Sequence, residues 1–174
     1  MACDLVQGNE ILCRDAVGGV LEVYIAPFDD VPQANITSAS GVITAMTCSS
    51  GNKFYTFQLE KENAQYDNNG VGSLENGTLF WESTLNFTMK KMSASMKNSV
   101  RVLAQNRLMI IVKDANGVYW LMGQTRGVDA LEVSLTTGKA MGDMSGATIT
   151  FTGKEPAFDN ELTSSLITAL LSPA

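Results

Sequence analysis

Alternation of apolar and polar residues is the clearest pattern in this chain, and it predicts a sheet of several strands. The longest alternating run is residues 79–89 (LFWESTLNFTM). One face of this predicted strand carries Leu79, Trp81, Ser83, Leu85, Phe87 and Met89. Shorter strands are predicted at residues 21–26, 41–46, 53–60, 108–113, 118–123, 130–135 and 147–153. The pattern therefore indicates a mostly β protein.

Directly after this strand the apolar period changes to that of a helix. Apolar side chains now recur three or four residues apart, which predicts one flanking helix at about residues 90–105. They are Met89, Met92, Met96, Val100 and Leu103. A row of methionines can form an adaptable binding surface, but we favour a helix that packs on its own sheet. A second, short helix is predicted at residues 161–171, within a tail at about residues 156–174. Its apolar side either covers the core or docks on a neighbouring subunit.

Two segments rich in turn residues connect these elements. Residues 114–117 (DANG) join two β-runs, so we expect a hairpin in which both Asn116 and Gly117 adopt positive φ. Residues 61–78 (KENAQYDNNGVGSLENGT) contain few large apolar side chains. We expect a long loop at about residues 61–78, or a hairpin tip that becomes ordered only against a partner.

The order of these elements predicts a single β domain over residues 1–174, a β-sandwich or half-barrel flanked by one helix. A chain of 174 residues can bury a core without metal or disulfide support. No apolar run approaches the roughly 20 residues that a membrane-spanning helix needs. The first residues lack a basic start and an apolar stretch, so we expect a cytosolic origin rather than export.

Charge is distributed unevenly along the chain. Residues 83–113 contain six basic residues and no acidic one, whereas the first 82 residues contain eleven acidic and three basic residues. We favour an interpretation in which the basic surface of one copy contacts the acidic surface of another. An ordinary solvated surface and a nucleic-acid site are the alternatives, although the acidic remainder of the protein would repel phosphates.

Residues that carry chemistry are scarce. The chain has no histidine, which excludes Ser-His-Asp and Cys-His catalysis and His-ligated zinc. Its three cysteines (Cys3, Cys13 and Cys48) match no metal motif and are expected to be reduced thiols. We therefore predict no enzymatic activity, no cofactor and no metal. Aromatic pairs such as Tyr119-Trp120 keep a carbohydrate-binding or capsid-decorating β-sandwich open as the alternative function.

The second half of the chain resembles the tail tube (major tail) proteins of long-tailed bacteriophages and related injection machines. The resemblance lies in the order of its segments: a long strand (LFWESTLNFTM), a lone helix (KKMSASMKNSVRVLAQN), a hairpin (LMIIVKDANGVYWLMG) and a closing strand pair (TTGKAMGDMSGATITFTG). It covers roughly residues 79–155, somewhat under half of the chain.

The resemblance implies a structural protein of the virion tail, made in the cytoplasm of a host bacterium. Six copies would form a hexameric ring whose sheets join into an inner β-barrel. Stacked rings would form a tube through which DNA passes without specific binding, past acidic residues that face the lumen. Other tail proteins would be partners, and no membrane would be involved. The expected subunit contacts are Tyr66, Asn68, Asn69, Lys90, Lys91, Lys97, Arg101, Leu166 and Leu170.

Overall fold

The computed structural model describes Gly8 and residues 15–173. The protein is mostly β, with 48% of this part of the chain in strands and 15% in helices, as the alternating pattern predicts. Eleven strands form one mixed sheet that is accompanied by two α-helices. Cys48 is a buried free thiol, whereas Cys3 and Cys13 lie outside the described residues.

Every predicted strand is present close to its expected position. The strands are β1 (Val20–Pro27), β2 (Ile36–Ala39), β3 (Val42–Met46), β4 (Tyr55–Gln58), β5 (Ala64–Ser73), β6 (Thr78–Lys90), β7 (Leu108–Asp114), β8 (Tyr119–Met122), β9 (Val128–Thr136), β10 (Gly146–Glu155) and β11 (Asn160–Leu162). The helices are α1 (Ala94–Gln105) and α2 (Ser165–Leu170). Strands β2, β5 and β11 were not predicted.

Strand β7 lies at the centre of the fold. It pairs with β1 along its full length, and β1 pairs in turn with β4. On its other edge β7 pairs with β8, while Leu108 at its start pairs with Val128 of β9. The sheet therefore divides at β7 into a branch β8–β11–β3–β2 and a branch β9–β10–β6–β5. The second branch folds back over β1 and β7, which gives the half-barrel.

Both faces of β7 lie in hydrophobic cores. Ile110 and Val112 face the first core, which is shared with β6, β10 and α1. Met109 and Ile111 face the second core, which is closed by β3 and α2. Because each face is covered, residues 108–112 form an unbroken apolar run instead of alternating.

Helix α1 packs on its own sheet, as the favoured interpretation predicts. Val100 and Leu103 are buried in the first core, and Met96 packs against it. The helix begins at Ala94, later than predicted, because β6 stays paired with β10 as far as Lys90. The Ser93 side chain then accepts a hydrogen bond from the Met96 backbone N–H at 3.1 Å, which caps the first turn.

The expectation of a long loop at residues 61–78 is wrong. Of the two alternatives, the segment forms a hairpin, and it is ordered by pairing within the chain. Within this segment, β5 pairs with β6 in an unbroken register from Ala64–Phe87 to Ser73–Thr78. The turn itself is confined to residues 74–77. A segment so polar and rich in glycine has weak strand propensity of its own, and the long, half-buried β6 supplies the pairing that decides its structure.

The C-terminal tail also differs from its prediction. The helix is shorter than expected because Glu161 and Leu162 belong to β11. Leu170 is 2% exposed in the second core, and the half-buried Leu166 packs against the same core. The apolar side of the tail therefore covers the protein's own core. Leu170 therefore belongs to the core of its own chain, and the expectation that Leu166 and Leu170 contact a neighbouring subunit stays a prediction.

The hairpin between β7 and β8 is confirmed, but its turn is not the expected one. Gly117 has a φ of 83°, whereas Asn116 does not adopt a positive φ. The carboxylate of Asp114 accepts hydrogen bonds from the backbone N–H groups of Asn116 and Val118, at 2.8 and 2.9 Å. This side chain stabilises a turn that needs glycine at one position only.

Candidate assembly surface

Strands β5, β6, β10 and β9 form an antiparallel four-stranded sheet, which we call the outer sheet. Side chains alternate between its two faces. The inner face carries Leu85, Phe87, Ile149 and Phe151, all fully buried in the first core. The outer sheet is therefore held to the rest of the protein by one face, and its other face is open to solvent.

The solvent face of the outer sheet is almost entirely polar, and we call it the polar face. Its apolar members, Val71 and Phe80, lie near the turn between β5 and β6. The uncharged polar side chains on this face are Gln65, Asn69, Ser73, Thr78, Thr84, Asn86, Thr88, Ser134, Thr136, Thr148, Thr150 and Thr152, and none of them is buried. Short, uncharged, hydrated side chains thus dominate the surface.

Acidic residues outnumber basic ones on the polar face. Asp67, Glu82, Asp129 and Glu132 lie on it by register. Lys154 approaches Glu82 across the strands at 3.8 Å, and both side chains are partly exposed. The polar face consequently carries a small net negative charge, whose effect at a distance is weakened by salt.

Both lateral edges of the outer sheet are unpaired within the part of the chain that the structure describes. Strand β5 pairs with β6 alone, and the far edge of β9 meets β7 only at Val128. Leu131, Val133 and Leu135 of β9 are 75%, 36% and 47% exposed. Neither β5 nor β9 contains the proline or lysine that commonly blocks pairing with another chain. A bulge at Leu131 bends β9, and the register with β10 is regular beyond it.

A buried polar cluster fixes β5 from the inside. Asp159, which is 5% exposed, accepts hydrogen bonds from the Tyr66 hydroxyl at 2.6 Å and from the Ser83 hydroxyl at 2.5 Å. Burial raises the pKa of Asp159 above its usual value; these hydrogen bonds oppose the shift, and the nearby Glu155 carboxylate adds to it. Asn68 lies beside Tyr66, and its buried Oδ1 has no hydrogen-bond partner among the described residues.

Glu155 secures the end of β10 in a similar way. Its carboxylate, which is also 5% exposed, accepts hydrogen bonds from the backbone N–H groups of Thr125 and Arg126 at 2.9 and 2.8 Å. Donors from the chain itself thus occupy both buried carboxylates. We conclude that Glu155 and Asp159 hold the outer sheet in position against the rest of the protein.

The residues that were predicted as subunit contacts lie in different environments in the structure. Tyr66 and Asn68 are half-buried, and their side chains reach the buried polar cluster; that they also contact a neighbour stays a prediction. Asn69 lies on the polar face, as an exposed residue. Lys90 pairs with Glu60 of its own chain.

The remaining basic residues of the prediction are exposed. Lys91 follows β6, and Lys97 and Arg101 lie on α1, which contacts β9. The exposed apolar side chains of β9 were not predicted as contacts. Their alternation resembles that of any half-buried strand, and the sequence does not show that this end of the strand lacks a cover.

The two tryptophans take part in packing within the chain. Trp120 Nε1 donates a hydrogen bond to Asp114 at 3.4 Å. Trp81 packs edge-on against Phe158, with 5.7 Å between the ring centroids. Each indole is half-buried by these contacts.

In the described residues, no group of three or more histidine, cysteine, aspartate or glutamate side chains is placed to hold a metal ion. None of the helices in this part of the chain is both long and apolar enough to cross a bilayer. No family model, curated protein or solved structure matches the chain. Its function is therefore inferred from the outer sheet and from the resemblance described above.

Proposed function

We propose that the protein is a structural component of a bacteriophage tail, in which six copies form a ring and stacked rings form a tube for DNA. The observation that carries the proposal is the outer sheet, which is open on one face and unpaired at both edges in the described chain. Monomeric β-proteins usually protect such edges, so a neighbouring chain is the natural partner for them.

Strand direction supports closure into a ring. The four strands of the outer sheet alternate in direction, so β5 and β9 at its two edges run opposite to one another. In a ring whose axis runs roughly along the strands, rotation from one copy to the next does not change the direction in which each strand runs. The β9 strand of one copy therefore meets β5 of the next as an antiparallel partner, and the alternation continues around the ring. A closed ring of this kind leaves no lateral edge free.

In this ring the polar face lines the channel, because the inner face of β6 and β10 packs on the first core. Six copies supply about 24 strands; with the usual spacing and tilt, the barrel is about 45–50 Å across at the backbone. That width leaves room for a DNA duplex. The small negative charge repels phosphates, and the Thr- and Asn-rich surface offers no basic cluster that would hold DNA in place.

Native mass spectrometry and negative-stain electron microscopy of the purified chain test the proposal. We expect hexamers, with sixfold rings or tubes in the images. In Leu135→Lys, a charged side chain at the β9 edge should abolish rings and leave a folded monomer. Leu21→Lys is the matched control, because Leu21 is 45% exposed on β1, which is paired on both sides.

The contrary result is a wild-type chain that stays monomeric at high concentration and forms neither rings nor tubes. Equal ring formation by Leu135→Lys and the wild type would remove β9 from the interface. Circular dichroism of each variant establishes that it is folded before its assembly is compared.

A further inference from the structure

One end of the outer sheet is a projecting hairpin. Residues 78–80 of β6 pair with β5 but lie beyond Trp81, the last residue that pairs with β10. At about 3.4 Å per residue, this hairpin extends about 10 Å past the sheet. We call residues 71–79 the hairpin tip. Its exposed apolar side chains are Leu74 (104%), Leu79 (65%) and Val71 (39%).

The hairpin tip is acidic. Glu75 is the one charged residue in residues 68–81. Two basic residues, Arg126 and Lys154, line a pocket with residues 78–80 at the base of the hairpin, and Lys154 lies over the Phe80 ring. The part that projects therefore offers an apolar surface with a single negative charge.

The opposite end of the outer sheet is basic. We call residues 137–145, together with Lys91, the turn end; the Lys91 backbone N–H donates to the Ser145 carbonyl at 2.7 Å, which joins the two parts. Lys91 and Lys139 are exposed, and neither forms an ion pair within the described chain. Met141 is 108% exposed.

The acidic residue of the turn end, Asp143, forms hydrogen bonds within its own turn. Asp143 accepts hydrogen bonds from the backbone N–H groups of Lys139 and Ala140 at 2.8 and 2.7 Å. These two bonds hold the pKa of Asp143 below its usual value. The carboxylate thus stabilises the turn, and the two lysines leave this end with a net positive charge.

We propose that the hairpin tip of one copy docks on the turn end of a second copy in the next ring. Glu75 then lies against Lys139 and Lys91, and Leu74 against Met141. This inference rests on the proposed ring, in which the strands run roughly along the axis and the two ends of the outer sheet face neighbouring rings. The contact joins two different surfaces, so it does not close on itself and extends rings into a polar tube.

A charge exchange tests this contact. The variants are Glu75→Lys, Lys139→Glu and the combination of both. The control is Glu161→Lys, which changes an exposed acid on β11 in the other branch of the sheet. Ring formation is measured by native mass spectrometry, and tube length by negative-stain microscopy at low and high salt.

We expect each single variant to keep the hexameric ring and to shorten the tubes about tenfold or more. Six copies of this contact hold one ring on the next. Each contact is weak, but a substitution weakens all of them at once, so the affinity between rings falls much more than the strength of one contact. The double variant should recover most of the length, and the control should match the wild type.

Two outcomes overturn the inference while the proposed function stands. One is rings that stack normally in both single variants, and the other is a double variant that recovers no length. Absence of rings from the wild type itself contradicts the proposed function instead, so the two failures can be told apart.

Discussion

The Tyr66 hydroxyl donates a hydrogen bond to the carboxylate of Asp159 at 2.6 Å, although the two residues are 93 positions apart in the sequence. Tyr66 belongs to β5, an edge strand of the outer sheet, and Asp159 lies just before β11. This contact joins the edge that we assign to subunit pairing with the branch of the sheet that closes the second core. The geometry of the edge therefore depends on a buried carboxyl group.

Replacing Asp159 by asparagine should change how stability depends on pH. Burial raises the Asp159 pKa in the folded state, so its contribution to stability is complete below the unfolded value of about 3.9 and is lost as pH rises through the raised folded pKa. Asp159→Asn cannot lose this contribution. We expect the free energy of unfolding of the variant, relative to the wild type, to increase from pH 4 upward and then to level off.

Urea denaturation at several pH values measures this difference. Asp159→Ala is the second variant; it leaves the hydroxyl groups of Tyr66 and Ser83 without their acceptor and should destabilise the protein by about 1–3 kcal/mol. A relative stability of Asp159→Asn that does not change with pH would contradict the assigned role of burial.

Tyr66→Phe removes one donor to the buried carboxylate and keeps the ring. We expect it to lower the free energy of unfolding at neutral pH by about 1.5–3 kcal/mol, the range for hydrogen bonds to charged groups. Tyr55→Phe is the matched control, since Tyr55 is 58% exposed and should change stability by less than about 0.5 kcal/mol. If both variants behave alike in chemical denaturation, the Tyr66 contact is not a source of stability.

Gly146→Ala should disturb the junction between β6 and β10. A Cβ atom at Gly146 would overlap the backbone carbonyl oxygen of Met89 and approach the Lys90 Cα at 3.0 Å. Neither backbone atom can yield without breaking the register, so we expect a loss of about 1–3 kcal/mol in thermal or urea unfolding.

Gly142→Ala provides the comparison for this variant. Gly142 lies in the adjacent turn and does not adopt a positive φ, and a Cβ atom added there would meet no other atom within 4 Å. Its replacement should leave stability within about 0.5 kcal/mol of the wild type. Similar effects of the two substitutions would show that the close approach at Gly146 relaxes at little cost.

Leu170→Ala distinguishes a core residue from a subunit contact. Leu170 is 2% exposed, and its backbone carbonyl accepts a hydrogen bond from the Phe54 N–H at 2.9 Å. A cavity at this site should destabilise the dissociated protein by about 2–5 kcal/mol. Leu166→Ala, at a half-buried position of the same helix, should have a smaller effect. An unchanged monomer stability combined with lost assembly would instead support Leu170 as a subunit contact.

The contrast between β6 and β5 shows most clearly which parts of the fold can be predicted from the sequence. The alternation in β6 is strong because one of its faces is buried along most of the strand, and this feature can be read directly. Strand β5, with 10 residues against 13 in β6, is polar and contains two glycines. Its structure comes from hydrogen bonds to β6, which are contacts between segments that a local pattern does not contain.

The candidate assembly surface was predicted in part. The sequence indicated a basic helix, and the structure leaves Lys97 and Arg101 exposed on α1. It did not indicate that Tyr66 and Asn68 point inward, since the direction of a strand residue depends on register. It also did not reveal the uncovered apolar side of β9.

By itself, the sequence determined the mostly β class, the position of α1 and the hairpin at residues 114–117. Each of these follows from local periodicity or from the backbone preferences of a few neighbouring residues. The tertiary structure alone decided that β7 is buried on both faces, that the tail covers its own core and that, among residues 15–173, no strand pairs with the two edges of the outer sheet. These features depend on which distant strands lie side by side, and pairing across 60 or more residues, as between β6 and β10 at Thr88 and Thr148, leaves no local pattern in the chain.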